Sequence, residues 1–169
     1  MKNIFVTGIS GTGKTTIAHV LERRGIRSVS IDEVPGLCAW INKLNGKKVD
    51  YEAVLDQSFI DSHMWVCDVE QLKKMLNEGN GSVVFGHAEN QSDFLYLFDK
   101  IILLQCIPST FIKRIMERQD NDFGKNETAQ KYLLGTYKDF EEKMLRKGAI
   151  SVNAEGPLEE VVESIVSET

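Results

Sequence analysis

The chain has 169 residues, a length that suits one domain able to bury its own apolar core. Its 42% hydrophobic and 27% charged residues are typical of a soluble globular protein, and a net charge of −5 disfavours a nucleic-acid surface, which is usually basic. No apolar run approaches the ~18 residues of a membrane span, and the first residues do not resemble a signal peptide. The three cysteines lie far apart and form no C-x-x-C pair, which indicates reduced thiols. We therefore expect a single cytoplasmic domain over residues 1–169.

Short apolar runs alternate with segments of helical spacing along the chain. Strands are predicted at 4–7, 27–32, 82–86, 100–106 and 149–152. Helices are predicted at 14–24, 90–98, 109–119, 127–147 and 157–166, with Ser109 as a cap and Pro157 near the first turn of the last helix. This alternation predicts an α/β fold, a three-layer sandwich of about five parallel strands with helices on both faces.

The segment between the second and third predicted strands has the weakest pattern. Residues 37–50 are predicted to form a short helix and then a turn at Asn45 and Gly46. Residues 51–78 are predicted to form one long helix or two. Trp40 and Trp65 lie in this segment, where core packing is favoured over a pocket-lining role.

Residues 8–15 read GISGTGKT and match the pattern G-x-x-x-x-G-K-[ST]. Glycines let a loop curl so that successive N–H groups point inward, and the following helix adds unpaired N–H groups and the positive end of its dipole. In this pattern Lys14 reaches the β- and γ-phosphates of a nucleotide and Thr15 binds Mg²⁺. We expect nucleotide contacts from Gly8, Ser10, Gly11, Thr12, Gly13, Lys14, Thr15 and Thr16.

Three further sequence features are relevant to a nucleotide site at this loop. Asp32 and Glu33 follow the second predicted strand, at the sheet edge where α/β folds bind ligands. Arg114 and Arg118 are four residues apart and share a helix face. The stretch VNAEGP at 152–157 joins the last strand to the last helix through small residues. Ordinary roles stay open for each: a turn cap for Asp32, a solvated face for the arginines and a plain connection for the last stretch.

Together with the phosphate loop, these features resemble the nucleoside monophosphate kinase superfamily, which is adenylate kinase-like, and within it the shikimate and gluconate kinase subgroup. The resemblance covers nearly the whole chain at the level of motifs. It implies a P-loop NTPase fold with the sheet order 2-3-1-4-5. It also implies a substrate-binding insertion at about 33–78 and a short lid at about 118–128.

The same resemblance implies roles for individual residues. Asp32 would orient the acceptor hydroxyl or act as its general base, and it would join Thr15 in the Mg²⁺ shell. Glu33 would bind the substrate. Arg114 would stack on adenine and Arg118 would reach the phosphates, tasks that suit a planar guanidinium. Backbone groups would contact the base at Asn153, Ala154 and Gly156.

The chain departs from that family on the acceptor side. Nucleoside monophosphate kinases carry an arginine after the third strand, whereas this chain has Gly86, His87 and Asn90 there, which we expect to bind substrate. A satisfied strand-end histidine is the alternative for His87. Arginine is absent from residues 28 to 113, which favours a neutral or singly charged hydroxylated acceptor over one that carries a phosphate. No strand ends in the apolar run plus Asp of a Walker B motif, which disfavours motor and AAA-type ATPases.

The leading hypothesis is an enzyme that transfers the γ-phosphoryl group of ATP to a hydroxyl of a small metabolite, with Mg²⁺ as its cofactor. Lys14, Asp32 and Arg118 would be its catalytic residues, and Gly124 would be the hinge of the lid. A nucleoside or nucleoside monophosphate kinase is the nearest alternative. An alternative of another class is a non-kinase NTPase that acts as a switch or assembly factor with a protein or RNA partner. The net charge of −5 makes an RNA partner the less favoured of the two. A monomer and a dimer both remain open.

Overall fold

The computed structural model describes residues 2–49, 56–119 and 122–169. No helix in these ranges has both the length and the apolarity needed to cross a bilayer. The strands are β1 (Ile4–Thr7), β2 (Ser28–Ser30), β3 (Cys38–Asn42), β4 (Lys48–Val49), β5 (His63–Cys67), β6 (Val83–Phe85), β7 (Lys100–Gln105) and β8 (Ile150–Asn153). The helices are α1 (Lys14–Arg23), α2 (Gln57–Ser62), α3 (Val69–Asn77), α4 (Pro108–Glu117), α5 (Glu127–Arg146) and α6 (Leu158–Val166). Two 3₁₀ turns, Gln91–Asp93 and Leu95–Leu97, lie between β6 and β7.

The main sheet contains five parallel strands in the order β2-β6-β1-β7-β8. When these five strands are counted along the chain, the order is 2-3-1-4-5, so the predicted fold class and strand order are confirmed. The carboxyl ends of parallel strands share one edge, where ligands bind in such sheets. Asp32 follows β2, Gly86 follows β6 and the phosphate loop follows the central strand β1, so all three meet at that edge.

Side chains of the main sheet alternate between two apolar layers. In β1, Ile4 and Val6 belong to one layer and Phe5 belongs to the other. Helices α1, α4 and α6 pack on the first layer, whereas α3, the 3₁₀ turns and Met144 of α5 pack on the second. Successive strand side chains point to opposite faces. The uninterrupted apolar run of β1 therefore fills both layers, as a three-layer sandwich requires.

The helix predicted within residues 37–50 is wrong, because β3 and β4 form an antiparallel hairpin there. The predicted turn is confirmed: Gly46 has φ 68°, and the Asn42 side chain accepts the N–H groups of Leu44 and Asn45. Such strands are stabilised by pairing with other segments of the chain rather than by the spacing of their own apolar residues. The sequence pattern within residues 37–50 therefore did not reveal them.

The helices predicted for residues 51–78 are interrupted by a strand, so this prediction also needs correction. Residues 50–55 lie outside the described part, and β5 separates α2 from α3. β5 pairs with β3 in antiparallel fashion, with Trp40 opposite Trp65 and their ring centroids 5.6 Å apart. Such aromatic cross-strand pairs stabilise a small sheet. We call the three strands in the order β4-β3-β5 the insertion sheet.

Two smaller predictions differ from the structure. The helix predicted at 90–98 is a pair of 3₁₀ turns. Ser109 is not the cap of α4, because that helix begins at Pro108, whose restricted φ suits the first helical position. The remaining helices and strands of the main sheet begin and end within two residues of their predicted bounds.

The insertion sheet is attached to the main sheet through the residues that follow β6. Glu89 donates its backbone N–H to the Trp65 carbonyl at 2.9 Å, and the Trp65 N–H donates to Glu89 Oε1 at 3.2 Å. Asn90 accepts the Cys67 N–H through Oδ1 and donates to the Cys67 carbonyl through Nδ2, both at 2.9 Å. The second edge of β5 is therefore paired with residues 89–90, partly through their side chains.

We expect Asn90→Ala to lower the free energy of unfolding by about 2 kcal/mol, because two hydrogen bonds to the Cys67 backbone are lost. Asn77→Ala is the control, since Asn77 is exposed on α3, and it should change stability by less than about 0.5 kcal/mol. Urea unfolding followed by circular dichroism measures both. Equal stability of Asn90→Ala and the wild type would contradict the assigned attachment.

Candidate active site

The phosphate loop between β1 and α1 is packed tightly against its neighbours. A Cβ atom at Gly8 would lie 2.7 Å from the carbonyl oxygen of Leu104 in β7. At Gly11, where φ is +85°, a Cβ atom would lie 2.5 Å from the carbonyl oxygen of Phe111 in α4. Both distances are shorter than real contacts of a Cβ atom, so any side chain at either glycine would force the loop away from β7 or α4.

Side chains of the loop fold back onto its own backbone. Lys14 donates from Nζ to the carbonyl oxygens of Gly8 at 2.6 Å and Ile9 at 2.9 Å. The hydroxyl of the buried Thr12 donates to the same Ile9 carbonyl at 2.9 Å. The Lys14 ammonium is therefore held at the mouth of the loop. Nucleotide contacts of Thr12 and the other loop residues stay predictions.

The charge of Lys14 is costly in this position. Burial lowers the pKa of Lys14 from 10.5 to about 8, while the nearby Asp32 carboxylate raises it and the Arg118 guanidinium lowers it, each to a smaller extent. Two cations and one carboxylate thus come together beside the loop. An anion between the two cations would compensate a charge that the protein leaves poorly solvated.

Asp32 lies at the carboxyl end of the main sheet and is oriented by a residue of the insertion sheet. The indole Nε1 of Trp65 donates to Asp32 Oδ1 at 3.0 Å. Burial raises the pKa of Asp32, and the charge of Lys14 and the Trp65 hydrogen bond oppose this shift. Core packing was favoured for Trp65 from the sequence, so this contact was missed. No local signal reveals it, because the two residues are 33 positions apart.

The two arginines of the predicted lid region reach different parts of the site. Arg118 follows the last residue of α4 and donates to Ser10 Oγ at 3.2 Å and to the Phe123 carbonyl. Arg114 donates from Nη2 to the Ala154 carbonyl at 2.9 Å. The structure therefore brings Arg118 to the phosphate loop and Arg114 to the connection between β8 and α6. Stacking of Arg114 on adenine stays a prediction.

Glu33 and Gly86 have structural contacts that account for their positions. Glu33 lies 3.6 Å from His19 Nε2 of α1, and both side chains are about half exposed. A Cβ atom at Gly86 would lie 2.2 Å from Ile31 Cγ1, so the glycine allows β6 to pack beside Ile31. Substrate contacts of Glu33 and Gly86 stay predictions.

His87 and Asn90 differ in how much of their hydrogen-bonding capacity is used. Both ends of the Asn90 amide contact the Cys67 backbone, so its role here is attachment of the insertion sheet. The His87 ring meets the Phe140 ring edge-on at 4.7 Å, and its buried Nδ1 has no hydrogen-bond partner within the described residues. Burial, with a smaller contribution from Lys14, lowers the pKa of His87 to about 3, so the imidazole is neutral.

The remaining predicted residues lie at the beginning of α1 and at the connection between β8 and α6. Thr15 is half-buried and Thr16 is exposed, both in the first turn of α1. Asn153 is the last residue of β8, and its Oδ1 accepts the Glu155 N–H at 3.0 Å. This hydrogen bond shapes the turn that contains Gly156. Nucleotide contacts of these four residues stay predictions.

Residues 4–133 match the family described as AAA domain. The chain belongs to the AAA domain family. No curated protein matches the chain. The sequence disfavoured AAA-type ATPases because no strand ends in the carboxylate of a Walker B motif. In this AAA domain, the two strands that flank β1 are followed by Gly86 and Cys106 rather than by an acidic residue.

Solved structures similar to this AAA domain are small kinases. A gluconokinase from Sinorhizobium meliloti shares 17% identity with a TM-score of 0.57, over 96% of this chain and 87% of that one. A deoxyadenosine kinase from M. mycoides shares 18% identity with a TM-score of 0.59, over 98% of this chain and 97% of that one. A sugar kinase from Janibacter sp. shares 16% identity with a TM-score of 0.55, over 99% of this chain and 93% of that one. The prediction of a P-loop small-kinase fold is confirmed.

The lowered pKa of Lys14 makes stability depend on pH. Between the folded pKa of about 8 and the unfolded value of 10.5, the unfolded chain binds more protons at Lys14, so this group makes the free energy of unfolding rise with pH. We expect the wild type to gain stability relative to Lys14→Met from pH 8 to pH 10, with a constant difference below pH 8. Urea unfolding of both proteins at matched pH tests this, and a flat or falling difference above pH 8 would exclude the proposed burial of the charge.

Proposed function

We propose that the protein is an ATP-dependent phosphotransferase that moves the γ-phosphoryl group of ATP to a hydroxyl of a small-molecule acceptor. The observation that carries this proposal is the position of Asp32, at the end of β2, beside the phosphate loop that holds Lys14, where the charge of each affects the pKa of the other. A carboxylate in that position suits the orientation of a hydroxyl towards the transferred group. The likeness in fold to solved kinases supports the same chemistry.

Binding of ATP would give Lys14 better partners than it has in this structure. Phosphate oxygens would replace the Gly8 and Ile9 carbonyls around the ammonium and compensate its charge. Arg118, which already contacts Ser10 of the loop, would neutralise charge on the transferred group. Catalysis of phosphoryl transfer consists mostly of such positioning and charge neutralisation.

Asp32 would act on the acceptor. One of its carboxylate oxygens accepts the Trp65 indole N–H, which leaves the other for the acceptor hydroxyl. The raised pKa of Asp32 brings it closer to the value that suits a general base. His87, with a neutral ring and a buried Nδ1, would accept a second hydrogen bond from the acceptor.

The residues at the loop fit a magnesium ion carried with the nucleotide. Mg²⁺ commonly binds one or two protein oxygens together with substrate phosphates and water, and Thr15 and Asp32 supply such oxygens. Within the described residues, no group of three His, Cys, Asp or Glu side chains is placed to hold a metal. When bound, Mg²⁺ would neutralise charge on the β- and γ-phosphates.

We propose that residues 118–128, of which 120 and 121 lie outside the described part of the chain, form a lid that excludes water from the site. Arg118 anchors the beginning of the segment through the Phe123 carbonyl. Gly124 has φ 86° and packs against Ile115, whose Cγ2 would lie 3.0 Å from a Cβ atom at this position. Closure over bound ATP would complete the set of charges around the γ-phosphoryl group.

Three free cysteines support a reducing compartment. Cys38 stands directly opposite Cys67 in the insertion sheet, yet both are free thiols, as is Cys106. Unbridged cysteines at directly opposite strand positions are typical of proteins in compartments where disulfides do not persist. We propose that the protein acts in the cytoplasm.

A nucleoside kinase is the second candidate, because the fold is also similar to that of a deoxyadenosine kinase. It would use the same chemistry on an acceptor that carries a base. A non-kinase NTPase switch would instead hydrolyse ATP without any small acceptor. Acceptor dependence of ADP release separates the three functions.

We expect ADP release from ATP and Mg²⁺ to rise at least about tenfold with one acceptor from a panel of sugars, sugar acids, polyols, nucleosides and nucleoside monophosphates. Lys14→Ala should lower this rate about 10²- to 10³-fold, because the main charge at the β- and γ-phosphates is lost. A coupled assay for ADP measures the rates.

Lys73→Ala removes an exposed lysine of α3 and is the control for this variant. It should keep the wild-type rate. ADP release that ignores every acceptor but still requires Lys14 would favour the switch. Near-normal turnover in Lys14→Ala would overturn the phosphotransferase proposal.

Asp32→Asn should lower kcat about 10²-fold and leave the Kd for ATP within about threefold of the wild type. Asparagine keeps the acceptor oxygen for Trp65 but loses the charge that orients and deprotonates the hydroxyl. Asp139→Asn, at an exposed position on α5, is the matched control. Loss of ATP binding in Asp32→Asn, measured by calorimetry, would instead assign Asp32 to the nucleotide or the fold.

A further inference from the structure

We infer that Glu89 and Asp32 together make the acceptor site selective for hydroxylated molecules that carry no anionic group, whether neutral or cationic. This inference rests on the proposed phosphotransferase function and specifies its substrate class. Glu89 was not among the site residues predicted from the sequence.

Trp65 contacts both carboxylates. Its backbone N–H donates to Glu89 Oε1 at 3.2 Å, and its indole N–H donates to Asp32 Oδ1 at 3.0 Å. Its carbonyl accepts the Glu89 N–H at 2.9 Å, so the Glu89 backbone is held as well. Each carboxylate keeps a second oxygen for a ligand. The acceptor site therefore has two negative groups whose positions are set by one residue.

One cation, Lys43, lies close enough to Glu89 to affect its pKa. Burial raises the pKa of Glu89, and the Trp65 hydrogen bond and the charge of Lys43 lower it to a smaller extent. Lys43, however, donates to the carbonyl oxygens of Ile60 at 2.9 Å and Asp61 at 3.1 Å, at the end of α2. Two of the three N–H donors of its ammonium are thus used at the end of α2. Tyr132 of α5 also lies near Glu89, whose charge contributes to the raised pKa of that phenol.

Positive charge is scarce on the acceptor side. The sequence has no arginine from 28 to 113, and the segments 50–55 and 120–121 contain neither lysine nor arginine. Lys47 and Lys48 are exposed at the β3–β4 turn, and Lys100 pairs with Glu168 at 2.5 Å at the beginning of β7. Lys14 and Arg118 face the phosphate loop, where ATP would occupy them.

The groups available to the acceptor are therefore hydrogen-bond acceptors. Asp32 and Glu89 offer carboxylate oxygens, and the neutral His87 offers a buried Nδ1 when its proton is on Nε2. Hydroxyl and ammonium groups donate to all three, whereas a carboxylate or phosphate on the acceptor would meet two like charges. The expected preference is opposite to that of a site built for sugar acids or nucleoside monophosphates.

The test compares kcat/KM for acceptors matched in shape and different in charge. Glucose and glucitol are neutral, glucosamine is cationic and gluconate is anionic; a nucleoside and its monophosphate form a second matched set. We expect the anionic member of the preferred set to be used at least about tenfold less well than the neutral or cationic member.

Glu89→Gln is the decisive variant, since glutamine can still accept the Trp65 N–H through its side-chain oxygen. It should reduce the discrimination against the anionic acceptor, measured as the ratio of kcat/KM for the neutral and anionic members, at least about threefold. Glu70→Gln, an exposed position on α3, makes the same change in charge away from the site and should leave the discrimination unchanged.

The outcomes separate the two proposals. Acceptor-dependent ADP release that is highest with gluconate or a nucleoside monophosphate would overturn the selectivity and keep the phosphotransferase function. The same loss of discrimination in Glu70→Gln and Glu89→Gln would assign it to net charge and overturn the role of Glu89. ADP release independent of every acceptor would overturn both proposals.

Discussion

The ammonium group of Lys14 is the constraint on which the site depends. It is held by two carbonyl oxygens of its own loop, and burial moves its pKa to about 8. The loop approaches β7 and α4 closely only because Gly8 and Gly11 have no side chains. Asp32 provides the compensating negative charge from the end of a different strand. The order of the main sheet is what brings this strand end and the loop together.

The insertion sheet is joined to this centre by hydrogen bonds, and Cys38 and Cys67 also pack in the second apolar layer. Trp65 contacts Asp32 through its indole and Glu89 through its backbone, while Asn90 contacts the neighbouring Cys67. Polar groups of this kind have strict requirements of distance and angle. The residues after β6 therefore determine where the insertion sheet lies and, in the proposed site, which groups would face an acceptor.

The phosphate loop and the main sheet were predictable because their signals are local or topological. Residues 8–15 carry a pattern whose strand and helix context is visible in the sequence, and the strand order followed from the resemblance to small kinases. The hairpin of β3 and β4 and the strand β5 were not predictable, since their stability comes from pairing partners far along the chain. The Trp65–Asp32 contact and the position of Glu89 depend on that pairing, so they too had no sequence signal.

The contact between Gly11 and α4 has a mechanical consequence. The carbonyl oxygen of Phe111 would be only 2.5 Å from a Cβ atom at Gly11, so the backbone of α4 lies directly against the loop. Helix α4 cannot pivot towards the nucleotide without displacing the loop that binds it. In the proposed lid, closure therefore leaves α4 in place as far as Glu117 and falls to the short stretch that joins α4 to α5. A stretch of that length would cover only a small volume beside the phosphate loop, which would set an upper limit on the size of an acceptor enclosed there.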